Sequence, residues 1–227
     1  AARVAAGAVA AKVIARVGME VLAYTKTLGG VTISQTWQDL LGLSREELGH
    51  NKLLCPDLQA TAEMEKRLAK AKEEGDSLGG MVEIIVRGCP AGLGEPVFDK
   101  MDADLAKALM SIGSIKGVEI GAGFQVAAMT GVAANDPITA AGFLSNHAGG
   151  ILAGITSGQP LVIRVASKPI PSIGKVQQTV DLTGKARELR VPGRHDVATI
   201  PRIVPVCEAM VNIILADHLL RQQALAG

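Results

Sequence analysis

The stretch TIPRIVPVCEAMVNIILADHLLRQQALAG, at the C-terminal end of the sequence, constrains the fold more than any other segment. From about Pro201 to Ala224 it places Val206, Met210, Ile213, Ile214, Leu219 and Leu220 at helical spacing among few charges. That is the pattern of a long helix covered on most of its surface. Such a helix needs neighbours on more than one side, so it belongs to an inner layer. The opening AARVAAGAVAAKVIARVG has a related character: residues 1–17 combine high helix propensity with the small side chains of Ala5, Ala6, Gly7, Ala8, Ala10 and Ala11, which let another helix approach closely. A packed inner helix is expected there. It carries no initiator methionine, no N-cap and no signal-peptide pattern, so it reads as a helix entered part-way, and a segment upstream is expected to be missing.

Between these helices lie strands. GMEVLAYTKTLGG alternates as a strand and ends in the turn Gly29-Gly30, while the stretch onward to about Asn51 is weakly patterned. CPDLQATAEMEKRLAKAKEEGD predicts an amphipathic helix capped by Asp57, with Ala60, Met64, Leu68 and Ala71 on its apolar face, Glu63 and Arg67 paired on the other, and Gly75 as its stop. MVEIIVR alternates Val82, Ile84 and Val86 with Glu83, Ile85 and Arg87, which predicts an antiparallel strand with one covered face. The glycines and prolines of GCPAGLGEPVF make an ordered loop before a helix in DKMDADLAKALMSIG, with Met101, Leu105, Leu109 and Ile112 in register. GVEIG, FQVAAMTG and LVIRVAS read as further strands. Helices and strands arrive in no strict βαβ rotation, so an α+β sandwich with sheets over a helical layer is expected.

Composition narrows the function. The 227 residues are 48% apolar and carry 23 basic and 22 acidic side chains for a net charge of +1, so a substantial core is available and no global field points to nucleic acid or anionic lipid. Any anion site must be local. The widely spaced Cys55, Cys89 and Cys207 argue against a disulfide framework and a zinc cluster and fit reducing surroundings; Cys89 and Cys207 read as small buried side chains. Arg3, Lys12 and Arg16 interrupt the alanine-rich start and no apolar run reaches the ~18 residues of a membrane span, so a soluble protein is expected.

Three loops carry candidate chemistry. FLSNHAGGILAGITSGQP, with Gly149, Gly150 and Gly154, is either a tight turn or a place where backbone approaches a flat or phosphorylated ligand; its spacing matches neither nucleotide-binding fingerprint, and His147 reads as a structural histidine. In KPIPS, Lys168 and Ser172 could hold a phosphate on a proline-stiffened loop, or simply lead out of a strand. PGRHD offers Arg194 as a bidentate anion donor with Asp196 as its natural partner two residues on, or a salt-bridged surface turn. Its basic surroundings include Lys185, Arg187, Arg190 and His195. Glu95, Asp99, Asp102 and Asp104 read as caps and solvated helix face rather than an acid/base pair.

Taken in order, GDSLGG, VRGCPAGLGEPVFDKMDADLAKALMSI, KGVEIGAGF, SNHAGGILAGITSGQ, KPIPSI, GRHD and DHLLRQ resemble the chorismate synthase family over about Cys55 to Gln223, and AARVAAGA fits as well. The resemblance implies one domain over 1–227, lacking the family's N-terminal part, with a β-α-β sandwich of antiparallel sheets flanking a central helical layer. It implies elimination of phosphate and a ring proton from 5-enolpyruvylshikimate 3-phosphate to give chorismate, the last step of the shikimate pathway, with reduced FMN as cofactor. NADPH or a flavin reductase would supply the reducing equivalents, in a cytoplasmic homotetramer without nucleic-acid or membrane partners. By position, the flavin contacts fall on Gly113, Ser114, Ala153, Lys168, Pro169, Ile170, Pro171, Ser172 and Arg194, with Ala153 where a glycine is usual. Asp196 matches the aspartate that assists proton movement near the flavin. The family's GESHG motif, its two catalytic histidines, its arginine cluster and its RSSARE loop are not in this sequence, and His50, His147, His195 and His218 do not replace them. An inactive fragment is therefore expected, a non-catalytic flavin- or phosphate-binding module or an assembly piece being the alternatives.

Overall fold

The computed structural model describes residues 1–226. Helix α1 (Ala2–Ile14) tightens into one short turn, and Gly18, at φ 81°, releases the chain into β1 (Glu20–Leu28) and the short return strand β2 (Val31–Thr32). An irregular stretch holds α2 (Arg45–Gly49), a helix the sequence pattern had not suggested, started by a reciprocal pairing of Ser44 and Glu47. Then come α3 (Leu58–Glu73), β3 (Gly80–Arg87), α4 (Met101–Met110), β4 (Ile115–Ile120) and the short α5 (Gly131–Ala134). Two small hairpins, β5–β6 (Ile138–Thr139, Gly142–Phe143) and β7–β8 (Ile151–Leu152, Ile155–Thr156), precede β9 (Leu161–Ser167). A third hairpin, β10–β11 (Gln177–Val180, Ala186–Leu189), carries the basic segment, and α6 (Ile200–Ala226) closes the chain.

Five strands form one antiparallel sheet in the order β2-β1-β3-β9-β4. Helix α6 packs on β1 and β3, α4 packs on β4, and both α1 and α4 flank α6. The α+β class is as expected; among the described residues one five-stranded sheet, rather than sheets on both sides, lies against the helical layer. The sheet's face and the helices share one core, with Ile84, Ile163, Leu105, Leu109, Cys207, Val211 and Leu215 all buried.

The apolar pattern of α6 is explained by that position. By length and composition alone the helix could cross a membrane, which the charge-interrupted reading of the sequence had not allowed for, yet most of it is buried against β1, β3, α1 and α4. Helix α1 is an inner helix on one side only. Gly7, Ala10 and Ile14 are buried, and a methyl group on Gly7 would stand 2.4 Å from Ala209 Cβ, whereas Val9 on the other side is 65% exposed.

Two strand expectations change. Strand β3 is covered on both faces rather than one, because Tyr24 and Arg164, its register partners at Glu83, close over the polar side chain and leave Glu83 and Ile85 as buried as Val82 and Ile84. The FQVAAMTG segment is a 3₁₀ turn over Gly123–Ala128, not a strand. Gly121 and Gly123, at φ 60° and 57°, steer the chain off the sheet edge before it can pair.

Helix α3 matches its sequence pattern, and its cap gives a direct test. Asp57 accepts from the backbone N–H groups of Gln59 and Ala60, both at 2.9 Å, and these donors, Ala60 foremost, hold its carboxyl below the usual range. A depressed folded-state pKa means stabilisation that is present above the unfolded value and lost as pH falls through the folded one. Asp57→Ala is expected to cost about 1 kcal/mol at neutral pH. Thermal melts should show that deficit at pH 7 and its disappearance in acid, where the parent's carboxyl is protonated too.

Candidate functional site

Three strands terminate at one edge of the sheet, where Ile115 and Gly80 both lie opposite Ser167 in register. Ser114, just before β4, sits at φ 74°, a left-handed conformation uncommon for a residue with a side chain. Its carbonyl accepts from Lys168 N at 2.9 Å and its Oγ lies 2.9 Å from Ser167 Oγ. Gly113 beside it faces open space, since a methyl group there would meet nothing within 4 Å. The KPIPS loop continues across Gly79, where a methyl group would be 2.7 Å from the Ser167 carbonyl and 3.0 Å from Pro169 Cδ. Ser77 Oγ then donates to the Ile170 carbonyl at 2.7 Å.

The PGRHD loop joins the same edge. Leu78 N donates to the Val197 carbonyl at 2.7 Å, Leu78 and Ala198 form a parallel bridge, and Thr199 Oγ1 lies 3.2 Å from Ser167 Oγ. The structure thus gathers Gly113, Ser114, the run Lys168, Pro169, Ile170, Pro171 and Ser172, and the loop bearing Arg194 and Asp196. Lys168 and Arg194 are exposed and, among the described residues, neither is in an ion pair. The unpaired cations Lys168 and Arg194 and the hydroxyls of Ser114 and Ser172 are groups of the kind a phosphate-bearing ligand needs, and they lie on loops that leave the sheet at the same end.

Asp196 and Arg194 are not the pair their spacing suggested. Asp196 Oδ2 is 2.5 Å from Nη1 of Arg202, because Arg202 lies on the first turn of α6 and reaches back over the loop, while Arg194 turns to solvent. His195 Nε2 is engaged with the Val191 carbonyl at 3.0 Å.

Ala153 is placed elsewhere. It is the first residue of the β7–β8 turn, at φ 52° with Gly154 at φ 85°, and the Gly154 carbonyl accepts from Met101 N at 2.8 Å. That is the N-terminal end of α4, whereas Gly113 and Ser114 follow its C-terminal end. Ten helical residues span about 15 Å, so this chain does not bring Ala153 beside Ser114. The glycines before it serve chain packing: a methyl group on Gly121 would stand 2.1 Å from the His147 carbonyl, and one on Gly149 would stand 2.3 Å from Gly121 N. Asp136 organises this loop by accepting from Ser145 Oγ, His147 N and Ala148 N at 2.6, 2.7 and 2.9 Å. Burial pushes its carboxyl up, but the three donors win and hold it below the usual range. His147 contributes its backbone to this arrangement, in keeping with a structural histidine.

Other side chains carry more than their sequence context suggested. Tyr24, Glu83, Arg164 and Glu119 form one register row across β1, β3, β9 and β4. Glu83 accepts from Tyr24 Oη at 2.5 Å and meets Lys26 Nζ and Arg164 Nη1, each at 3.5 Å, while Arg164 Nε is 3.0 Å from Glu119. Burial, then the Glu83 charge, pushes the Tyr24 hydroxyl far above its usual range. The only sequence signals were a glutamate and an arginine inside apolar strands. Arg164 also reaches a cleft of about 280 Å³ with Trp37, Gln38, Asn146 and His147 on its walls. The carboxylates near α4 are partnered rather than solvated caps: Arg221 of α6 holds Glu95 and Asp99 at 3.2 and 2.6 Å, and buried His218 lies 3.0 Å from Asp104. The helix start itself, at Lys100, has no side-chain cap. All three cysteines are buried, and burial lifts the thiols of Cys89 and Cys207 to about 11 and about 12, away from nucleophilic use.

Comparison with known proteins supplies the lineage of this arrangement. The family model described as chorismate synthase matches residues 1–220. The chain belongs to the chorismate synthase family. Chorismate synthase of Syntrophus aciditrophicus (strain SB) is 63% identical over 225 residues, covering 99% of this chain and 62% of the relative. Chorismate synthase of Syntrophobacter fumaroxidans (strain DSM 10017 / MPOB) is 57% identical over 220 residues, covering 97% and 61%. A solved structure described as a crystal structure of chorismate synthase superposes with a TM-score of 0.78 at 32% identity, covering 97% of this chain and 62% of the other. The α+β architecture is therefore that of chorismate synthase, and the chain spans about 62% of the length of these relatives.

Proposed function

We propose that the protein carrying this chain is a chorismate synthase: it eliminates phosphate and a ring proton, anti-1,4, from 5-enolpyruvylshikimate 3-phosphate to leave the diene of chorismate, with reduced FMN bound. The observation that carries the reading is the 63% identity to a chorismate synthase over 225 residues of this chain. The loops that bear the positions the resemblance assigns to the flavin, Gly113, Ser114, Lys168 to Ser172, Arg194 and Asp196, leave the sheet at the same end, which supports the reading.

In this reading Lys168 and Arg194 hold anionic groups of cofactor and substrate, where fixed cations stabilise phosphate as it leaves with the electron pair of its C–O bond. Gly113 admits the ligand to the backbone, Ser114 and Ser172 offer hydroxyl donors, and the prolines at 169 and 171 keep the loop extended before binding. Asp196, oriented by Arg202, takes part in moving the ring proton. Reduced FMN, held by these residues, would supply transient electron donation with no net redox change. Ala153, at the far end of α4, would touch a different part of the ligand or a ligand held by another copy of the chain. A cytoplasmic homotetramer, with NADPH or a separate flavin reductase maintaining reduced FMN, completes the reading.

The test is anaerobic conversion of 5-enolpyruvylshikimate 3-phosphate to chorismate by the protein that carries this chain, with phosphate release measured in parallel. Equal amounts of chorismate and phosphate, formed only with reduced FMN, uphold the reading. A protein that binds FMN yet forms neither product overturns it and leaves a flavin-binding module.

A further inference from the structure

The three segments assigned to the flavin in the proposed function come from distant parts of the chain, and one buried hydroxyl touches all three. Ser167, the last residue of β9, is 5% exposed. Its Oγ lies 2.9 Å from Ser114 Oγ and 3.2 Å from Thr199 Oγ1, and it is itself followed directly by Lys168. Ser114 is the residue after Gly113, Lys168 opens KPIPS, and Thr199 lies three residues beyond Asp196. Thr199 also begins α6, its carbonyl accepting from the N–H groups of Arg202 and Ile203 at 3.0 Å each.

We infer that Ser167 is a positioning residue for the flavin site, the hub of a Ser114–Ser167–Thr199 hydroxyl chain that holds the Gly113-Ser114 turn, the KPIPS loop and the Arg194–Asp196 loop in register. The inference rests on the flavin reading proposed above. Two physical points carry it. Ser114 occupies a left-handed backbone conformation that costs a residue with a side chain about 1–2 kcal/mol, so something must hold it there, and the contacts that do are its carbonyl to Lys168 N and its hydroxyl to Ser167. Each hydroxyl both donates and accepts, so the chain can run from Thr199 through Ser167 to Ser114. In that direction the Ser114 proton is free for an acceptor on the ligand, and its oxygen is still satisfied by Ser167. Phosphate oxygens are acceptors of this kind. Removing the Ser167 hydroxyl leaves Ser114 and Thr199 without their shared partner and loosens the turn.

The experiment uses the full chain, FMN titration by quenching of flavin fluorescence, and amide hydrogen exchange at Lys168 and Leu78, whose N–H groups bond to Ser114 and Val197. Ser167→Ala is expected to weaken FMN binding about 10-fold, the range of one charge-assisted hydrogen bond, and to speed exchange at both amides. Ser167→Thr, which keeps the hydroxyl, should restore most of the affinity. Ile163→Val, in the same strand and also buried, serves as a control that lowers the melting temperature and should bind FMN as the parent does. Parent-like affinity in Ser167→Ala, or loss of affinity in Ile163→Val equal to that in Ser167→Ala, overturns the inference. If the parent chain does not bind FMN, the flavin reading of this chain falls separately. Exchange then decides: faster exchange at Lys168 and Leu78 in Ser167→Ala, rescued by threonine, upholds the hub, and unchanged exchange overturns it.

Discussion

Asp196→Ala in the protein that carries this chain is expected to lower chorismate turnover by about 100-fold or more, the usual contribution of a positioned proton-transfer group, with almost no change in melting temperature. The two effects separate because of where Asp196 sits. Its carboxylate is partly exposed and its one ion pair is with Arg202, whose side chain is 65% exposed. Pairs in such surroundings contribute about 0–1 kcal/mol to stability. Under the proposed function the part of Asp196 is in moving the ring proton, and its part in folding is small. Asp196→Asn keeps the shape and the contact with Arg202 but not the charge, so it should be nearly as slow as the alanine variant. Full turnover in Asp196→Ala would remove the assigned role; a large fall in melting temperature would show that the loop, not the chemistry, was lost.

Glu83→Ala has the opposite profile: a large loss of stability, from a residue three positions along β3 from Gly80, with no part in the proposed site. Glu83 is 1% exposed, accepts from Tyr24 Oη and Arg164 Nη1, and is in an ion pair with Lys26 Nζ. Its removal leaves Tyr24 with an unpartnered buried hydroxyl and strips Arg164 of one of two carboxylates. Breaking a buried charged pair from one side costs about 3–5 kcal/mol, which for a chain of this size corresponds to a fall of roughly 10 °C in melting temperature. Glu83→Gln retains an acceptor for Tyr24 and loses only the charge, so its deficit should be smaller. Calorimetry or circular dichroism melts of the three proteins decide it. An alanine variant that melts with the parent would mean the row of charged residues is solvated and energetically idle.

Elements whose pattern is local were legible in the sequence. The α3 helix followed from its Asp57 cap, its period and Gly75, β1 and β3 from alternation, and β4 and β9 were read as strands from GVEIG and LVIRVAS, with β4 beginning two residues before that string. The two strand misreadings share one cause: alternation reports which side chains are apolar, not whether a partner strand is present. FQVAAMTG has the right residues but is turned away by Gly121 and Gly123. In β3 the polar Glu83 looked solvent-facing because its partners, Tyr24 and Arg164, are 59 and 81 positions away. The same distance hid the pairing of Asp196 with Arg202, which depends on the turn into α6, and of Asp104 with His218, separated by 114 positions.

The candidate site divides the same way. Its residue types and order along the chain are sequence properties; they sufficed to place the chain in its family, and through that resemblance to assign Gly113, Ser114, KPIPS, Arg194 and Asp196 to the proposed site. Their convergence is a tertiary property, produced where β9 ends opposite the starts of β3 and β4, so that loops far apart in sequence leave the sheet at one edge. That geometry also sets Ala153 apart at the other end of α4, and it gives Ser167, unremarkable in the sequence, three segments to hold. A sequence specifies which groups are available through short-range propensity and chemistry; only the long-range register of the sheet and the close approach of helices, such as Gly7 against Ala209, decide which of those groups meet.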